Sequence, residues 1–196
     1  MATRQLKVVA FNGSPRTDGN TVLLIQRVFQ ELDRAGIGTE LVNLAGSPLR
    51  GCTACFRCHA SRNKRCAVDN DLLNSHLEKM IAADGILLGS PTYFADITSE
   101  MKALIDRAGF VGRSNGDLFQ RKVGAAIIAV RRAGAIHAFD SINHFFLISQ
   151  MIIPGSCYWN VALGREKGDV ERDEEGMKTM AVLGQNMAWL LKRVCE

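Results

Sequence analysis

The stretch that most constrains this fold is Asn12-Gly13-Ser14-Pro15-Arg16-Thr17-Asp18-Gly19-Asn20-Thr21. It follows an apolar run, Leu6 to Phe11, and leads into a segment where Val22, Ile25, Val28, Phe29 and Leu32 recur at helical spacing. A strand that turns through small, hydroxyl-bearing residues into a helix is an anion site. The first helical N–H groups lack intrahelical partners, and the helix dipole is positive at that end. Ser14, Asn20 and Thr21 add short side-chain donors around Gly19, and Arg16 adds a planar cationic fork. The stretch reads as a phosphate cradle.

The residues narrow which phosphate. A nucleoside-triphosphate loop needs G-x-x-x-x-G-K-[ST], with its Lys reaching the β and γ phosphates. Here five residues separate Gly13 from Gly19, and Asn20 stands where that Lys is wanted. A dinucleotide site needs G-x-G-x-x-G and a carboxylate closing the second strand. That strand is expected over about Thr39 to Leu44 and carries Asn43 near its end. A terminal monophosphate fits better than either.

A chain of 196 residues predicts one domain, 1–196, with 47% hydrophobic and 22% charged residues supplying an ordinary core and surface. The net charge of +4 is mild and its basic residues are spread along the chain, which does not indicate nucleic-acid binding. The run after Met1-Ala2-Thr3-Arg4-Gln5-Leu6-Lys7 is too short for a signal-peptide core, and nothing approaches a membrane span. A cytoplasmic protein with reduced or metal-bound cysteines is expected.

Strand-length and helix-length patterns alternate along the chain, predicting an α/β fold with a five-stranded parallel sheet and helices on both faces. A loop from Ala45 to Val68 follows the second strand and holds four of the six cysteines. The second helix is expected from about Asp69, a buried strand at Gly85–Gly89, and the third helix over Thr98 to Ala108. Val123 to Val130 reads as the fourth strand, a helix follows to about Gln150, and Ser156 to Leu163 reads as the fifth strand. The Met177, Met180, Leu183, Met187, Leu190, Val194 stripe marks the last helix.

In such sheets ligands sit beyond the carboxyl ends of the strands. The loops after strands one, three and four should therefore meet, bringing together Ser14–Thr21, Pro91–Ala95 and Arg131–Gly134. Tyr93 and Phe94 beside a Pro turn suit the border of a flat ring, although ordinary hydrophobic covering is the competing reading. A phosphate at one end and a planar ring at the other describe FMN.

Gly13-Ser14-Pro15-Arg16 with Gly19-Asn20-Thr21, then Ser90-Pro91-Thr92-Tyr93-Phe94, then Met101-Lys102-Ala103-Leu104-Ile105-Asp106-Arg107 resembles the NADPH-dependent FMN reductase group of flavodoxin-like proteins. The resemblance covers nearly the whole chain. It implies that Ser14, Arg16, Gly19, Asn20 and Thr21 bind the FMN phosphate and that Pro91, Thr92, Tyr93 and Phe94 border the isoalloxazine. Arg131, Arg132, Ala133 and Gly134 would close the ring edge, in a loop less glycine-rich than in many relatives. A homodimer or homotetramer is implied as well, with NAD(P)H as candidate co-substrate and small molecules or proteins as redox partners.

Cys52, Cys55, Cys58 and Cys66 form C-x2-C-x2-C-x7-C, similar to the compact motif of the iron–sulfur flavoproteins. Three thiolates two residues apart can curl around three corners of a cube, and a fourth from further on completes a 4Fe-4S site. Zinc sites space their ligand pairs more widely. Arg57, Arg62, Lys64 and Arg65 crowd the loop and would offset a cluster's negative charge. Reduced thiols or a redox disulfide are the alternatives.

The remaining candidates read more plainly. Cys157, in the expected fifth strand, and Cys195, at the chain end, read as inert, and His59, His137 and His144 as surface or packing residues. Asp106 and Arg107 are expected to pair at a helix end or to meet a partner subunit. No protein acid or base is required, so no catalytic side chain is assigned. The leading expectation is an oxidoreductase working through non-covalently bound FMN. A non-catalytic electron carrier is the alternative, and a thiol- or metal-dependent regulatory module stands if no flavin binds.

Overall fold

β1 (Lys7–Asn12) is buried from Val8 to Asn12, as a strand must be when helices cover both faces of its sheet. α1 (Asn20–Arg34) follows, then β2 (Gly38–Asn43), α2 (Arg57–Ser61), α3 (Leu73–Ala82) and β3 (Gly85–Pro91). α4 (Ser99–Ser114), β4 (Val123–Val130), α5 (Ala135–Ile148), β5 (Val161–Leu163) and α6 (Glu174–Val194) complete the order. These elements come from a computed structural model that describes residues 4–46 and 48–195. Met1–Thr3 of the amino-terminal segment, Ser47 of the cysteine loop and Glu196 therefore lie outside the described residues.

The five strands are parallel in the order β2-β1-β3-β4-β5. The chain reverses direction across the sheet between β1 and β3, and the crevice at such a switch point is where doubly wound sheets bind ligands. α1 and α6 cover one face, where Leu24, Ile25, Val28 and Leu32 are fully buried with Leu183, Met187 and Leu191. Burying each of these side chains is worth about 1.5–3 kcal/mol over leaving it exposed. α3, α4 and α5 cover the other face, with Leu77, Met80, Leu104 and Phe146 against Phe11, Ile86 and Leu88. Gly89 of β3 lets α1 lie close: a Cβ there would stand 2.8 Å from Ile25 Cδ1 and 3.0 Å from Thr21 Cγ2.

Three boundaries differ from expectation by more than two residues, each for a local reason, and one helical turn is added. β5 begins at Val161 rather than Ser156. The Ser156 hydroxyl lies 2.5 Å from Tyr158 O and 2.7 Å from Asn160 Oδ1, its one proton shared between the two oxygens, so side-chain bonding holds a turn there instead of a ladder. Cys157 accordingly lies outside the strand and is exposed. α3 starts at Leu73 rather than Asp69, because the Asp71 carboxylate accepts Leu73 N–H at 3.2 Å and an arginine from α4. α4 runs past Ala108 to Ser114, with Gly112 letting Phe119 pack against it; a Cβ there would meet that ring at 2.8 Å. The loop after β2 contains one helical turn, α2.

Candidate functional site at the carboxyl edge

The loop after β1 is braced by its own side chains. Asn12, fully buried, accepts Ser14 N–H at 3.0 Å through Oδ1 and donates to Asn43 Oδ1 of β2 at 2.9 Å. Ser14 Oγ accepts Arg16 N–H at 3.1 Å, and Gly13 N–H reaches Gly89 O of β3 at 2.7 Å. α1 then opens at an extended Gly19 with no side-chain cap. Its first N–H groups are left for a ligand, and the exposed Arg16 beside them makes no ion pair among the described residues. This arrangement fits a phosphate.

Two features of the cradle depart from the expectation. The Asn20 side chain is engaged elsewhere: its Nδ2 donates to Glu166 O at 2.9 Å and its Oδ1 accepts Gly168 N–H at 2.8 Å. It ties α1 to the loop after β5 and leaves only its backbone for an anion. Gly164 is required beneath it, since a Cβ would sit 2.6 Å from Asn20 Nδ2. Thr21 is buried against Gly89. The loop after β5 was not singled out from the sequence, yet it reaches the cradle again through a Lys167–Asp18 ion pair.

The loop after β3 is a tight hairpin. Tyr93 and Asp96 exchange backbone hydrogen bonds at 2.8 and 3.0 Å, and Phe94 and Ala95 between them have φ of 48° and 65°. Two consecutive left-handed residues are unusual without glycine and lift the intervening side chain outward. Phe94 is fully exposed and Tyr93 half exposed, so neither serves as core covering. Thr92 N–H bonds to Ala129 O at 2.9 Å, but its Oγ1 is buried with no partner. The Asp96 carboxylate accepts Ile97 N–H at 2.7 Å and the Ser141 hydroxyl at 2.8 Å. Burial pushes its pKa up, but these bonds hold it below the ordinary value.

The loop after β4 closes on that hairpin. Gly134 has φ +85°, and a Cβ there would stand 3.1 Å from Ala95 Cα and 3.6 Å from Thr92 Cγ2. α5 opens at Gly134 without a side-chain cap, while Arg131, Arg132 and Ala133 are exposed. The structure thus brings the three loops to one edge. Thr98 links the first two: its hydroxyl donates to Gly13 O at 2.8 Å, accepts Met101 N–H at 3.4 Å as the cap of α4, and its N–H reaches Ser90 Oγ at 3.1 Å.

The cysteine loop forms a second centre beside them. Cys52, Cys55, Cys58 and Cys66 all line one pocket, closed by Phe56, Ala67, Val68, Arg107, Phe110 and Val111. Cys58 is buried, Cys66 partly so, and all six cysteines of the chain are free thiols. Ala54, Phe56, Arg62 and Lys64 all have φ between 46° and 61°, a density of left-handed non-glycine residues typical of ligand clamps. The Cys55 thiol is held below its ordinary pKa, first by the Arg57 N–H and then by the Thr53 hydroxyl; the Arg57 charge contributes less. Asn74 grips Cys66 from both sides, accepting its N–H at 2.8 Å and donating to its carbonyl at 3.0 Å.

Among the described residues no three His, Cys, Asp or Glu side chains gather around a point that would hold one metal ion. A lone zinc needs all its ligands on a single atom. In a cubane cluster each thiolate binds a different iron, and four cysteines around one pocket are the donor type such a cluster takes.

Arg107 differs most from expectation. Asp106 pairs with Lys102 along α4, whereas Arg107 and Asp71 form an ion pair with side chains 1% exposed each. Arg107 Nη1 also donates to Arg50 O at 3.1 Å, and Nη2 donates to Val68 O at 2.7 Å and Cys66 Sγ at 3.4 Å. For Asp71, burial pushes the pKa up, but Arg107 and the N–H groups of Arg50 and Leu73 bring it below the ordinary value. His59, His137 and His144 are exposed, and only His137 has an acidic neighbour, Asp96 at 3.5 Å.

Residues 6–166 match the NADPH-dependent FMN reductase family. An iron-sulfur flavoprotein of Methanocaldococcus jannaschii is 34% identical over 196 residues, covering 96% of this chain and 99% of its own. Another, from Methanosarcina thermophila, is 29% identical over 197 residues, covering 96% and 97%. Among solved structures, RosB with bound 8-demethyl-8-formylriboflavin-5'-phosphate gives a TM-score of 0.77 at 18% identity, over 97% of this chain and 80% of that one. A WrbA-like flavodoxin from Agrobacterium tumefaciens gives 0.67 at 13% identity, over 97% and 99%. At these identities the two structures speak for the flavodoxin-like fold.

Proposed function

The chain belongs to the NADPH-dependent FMN reductase family and is an FMN-dependent oxidoreductase, and from that premise we propose that NAD(P)H supplies its electrons and that Cys52, Cys55, Cys58 and Cys66 hold a 4Fe-4S cluster. The observation that carries the flavin placement is Thr92 Oγ1, buried without a partner where the loops after β3 and β4 touch, on the edge where α1 opens uncapped. FMN, when bound, takes two electrons from a donor and releases them singly or together, and a 4Fe-4S cluster exchanges one.

The chain's own contribution is position and electrostatics. Arg16, Ser14, the N–H groups from Gly19 to Thr21 and the α1 dipole hold the phosphate. Pro91, Thr92, Tyr93 and Phe94 would border the ring, and the unpartnered Thr92 hydroxyl would be free to bond to it. Arg131, Arg132 and the uncapped start of α5 at Gly134 would place positive potential at the ring edge, with Ala133 between them, which would favour an electron-rich ring. Phe94, Phe110, Leu147 and Ile148 are exposed apolar residues, which supports assembly into a homodimer or homotetramer. No helix among the described residues is long and apolar enough to cross a membrane. The six cysteines form no disulfide among the described residues, which supports a cytoplasmic setting.

The test is protein purified without air, its flavin extracted and identified, then assayed for oxidation of NADH and NADPH. Bound FMN with pyridine-nucleotide oxidation is the expected result. FMN without that activity would move the chain to a non-catalytic electron carrier, and absence of flavin would overturn the assignment.

A further inference from the structure

We infer that Arg107 is the positioning residue of the cysteine pocket: it locks both ends of the cysteine loop and, through its hydrogen bond to Cys66 Sγ, sets the reduction potential of the group those cysteines hold. This inference rests on the reading that the pocket holds a 4Fe-4S cluster.

The anchoring is visible in the hydrogen bonds. Arg50 stands at the entry of the cysteine segment, and Cys66 and Val68 stand at its exit. One buried guanidinium reaches all three, and its counter-ion Asp71 also accepts the Arg50 N–H at 3.2 Å. A planar fork can serve three directions at once, which an ammonium on a flexible stem does not reproduce. The loop is therefore pinned at its roots, while its middle is shaped by the left-handed residues from Ala54 to Lys64.

The electrostatic role follows from what else lines the pocket. Arg107 is its only charged side chain apart from the thiols. Its Nε is buried with no partner, so the guanidinium keeps unused donor capacity there. The ion pair with Asp71 cancels its net charge, and the remaining effect on the sulfur is directional, through the N–H aimed at Cys66. Reduction adds one electron to a cluster that already carries negative charge through its thiolates. A donor hydrogen bond to a ligating sulfur favours the reduced form and raises the potential. Removing Asp71 would leave the guanidinium charge uncompensated and raise the potential further.

The two neighbours thus predict opposite shifts. In full-length protein purified without air, wild type, Arg107→Lys and Asp71→Asn are compared for iron and sulfide content. The potential is then read in a mediated dithionite titration followed by electron paramagnetic resonance, with dithionite supplying the single electron. Arg107→Lys keeps the charge but loses the fork, and its one-electron equilibrium should shift about tenfold toward the oxidised form, ~59 mV lower. Asp71→Asn should move the potential the other way. If one variant fails to hold its cluster, the sign of the other decides.

Potentials unmoved in cluster-loaded variants, or moved in the same direction, would overturn the inference while leaving the cluster in place. Loss of iron from both variants would reduce Arg107 to a folding role and overturn it too. Wild-type protein without iron or sulfide would overturn the cluster reading, and the inference with it.

Discussion

Thr98 Oγ1 donates to the carbonyl of Gly13 at 2.8 Å, so α4 starts on the phosphate loop. Nine residues later the same helix carries Arg107 into the cysteine pocket. At 1.5 Å per residue the two positions stand about 13.5 Å apart along the axis. One helix therefore spaces the proposed flavin cradle from the cysteine pocket, and variation at its start should be felt at the cradle.

Thr98→Ala removes the cap of α4 and leaves the Gly13 carbonyl without its donor in a buried place. A lost cap costs about 1 kcal/mol, and the orphaned carbonyl adds about 1–3 kcal/mol. Urea unfolding should show that loss together with weaker FMN binding by fluorescence quenching, and Thr98→Ser should restore both. A variant as stable as wild type would show that Thr98 does not tie α4 to the loop after β1.

Ser14→Ala with Arg16→Ala tests the phosphate itself. Each charge-assisted bond is worth about 1.5–3 kcal/mol, so the double variant should lose roughly a hundredfold or more in FMN affinity. Asn20→Ala should act differently. Its amide holds Glu166 and Gly168 rather than the cradle, so it should lower thermal stability more than it lowers FMN affinity. Titrations of both variants with free FMN check the contrast.

The contrast also marks what was legible in the sequence. The strand–turn–helix at Asn12–Thr21, the Val123–Val130 strand and the five-stranded sheet could be read because hydrophobic period and turn chemistry are local signals. The four cysteines could be grouped because their spacing is short. The engagement of the Asn20 side chain is not legible in the sequence, because its partners, Glu166 and Gly168, lie about 146 residues away, beyond any local pattern. Arg107 looked like a helix-end charge for the same reason: Arg50, Cys66, Val68 and Asp71 meet it only once the loop has folded back on α4. The short β5 was overread because Ser156 and Asn160 form a turn inside a β-prone run.

Gly134→Ala should separate the two ring loops. Its φ of +85° disfavours any side chain, and a Cβ would press on Ala95 at 3.1 Å. A cost of about 1–2 kcal/mol in stability is expected from the backbone alone. FMN affinity should fall with it, while iron and sulfide content stays at the wild-type level. Unchanged flavin affinity would place the ring away from this loop.

His76 sets a pH dependence. It is buried edge-on to Phe11 at 5.6 Å, and burial followed by the nearby Lys79 charge lowers its pKa below the ordinary 6.5, against a smaller opposing pull from Asp71. Above about pH 7 neither the folded nor the unfolded chain carries the proton, and the site is silent. As pH falls through that range the unfolded chain takes up a proton that the folded chain resists, so stability is lost toward acid. His76→Leu should flatten the urea midpoint between about pH 7 and pH 5. A wild-type profile already flat over that range would contradict this.

One edge of this sheet is proposed to carry FMN and, beside it, an iron–sulfur cluster on Cys52, Cys55, Cys58 and Cys66. Flavin, iron and acid-labile sulfide counted per chain in a single anaerobic preparation decide this. About one FMN, four iron and four sulfide per chain are expected, with iron and sulfide lost and FMN kept in Cys58→Ser. FMN with neither iron nor sulfide in the wild type would contradict it, leaving a flavoprotein whose cysteine pocket serves its thiols alone.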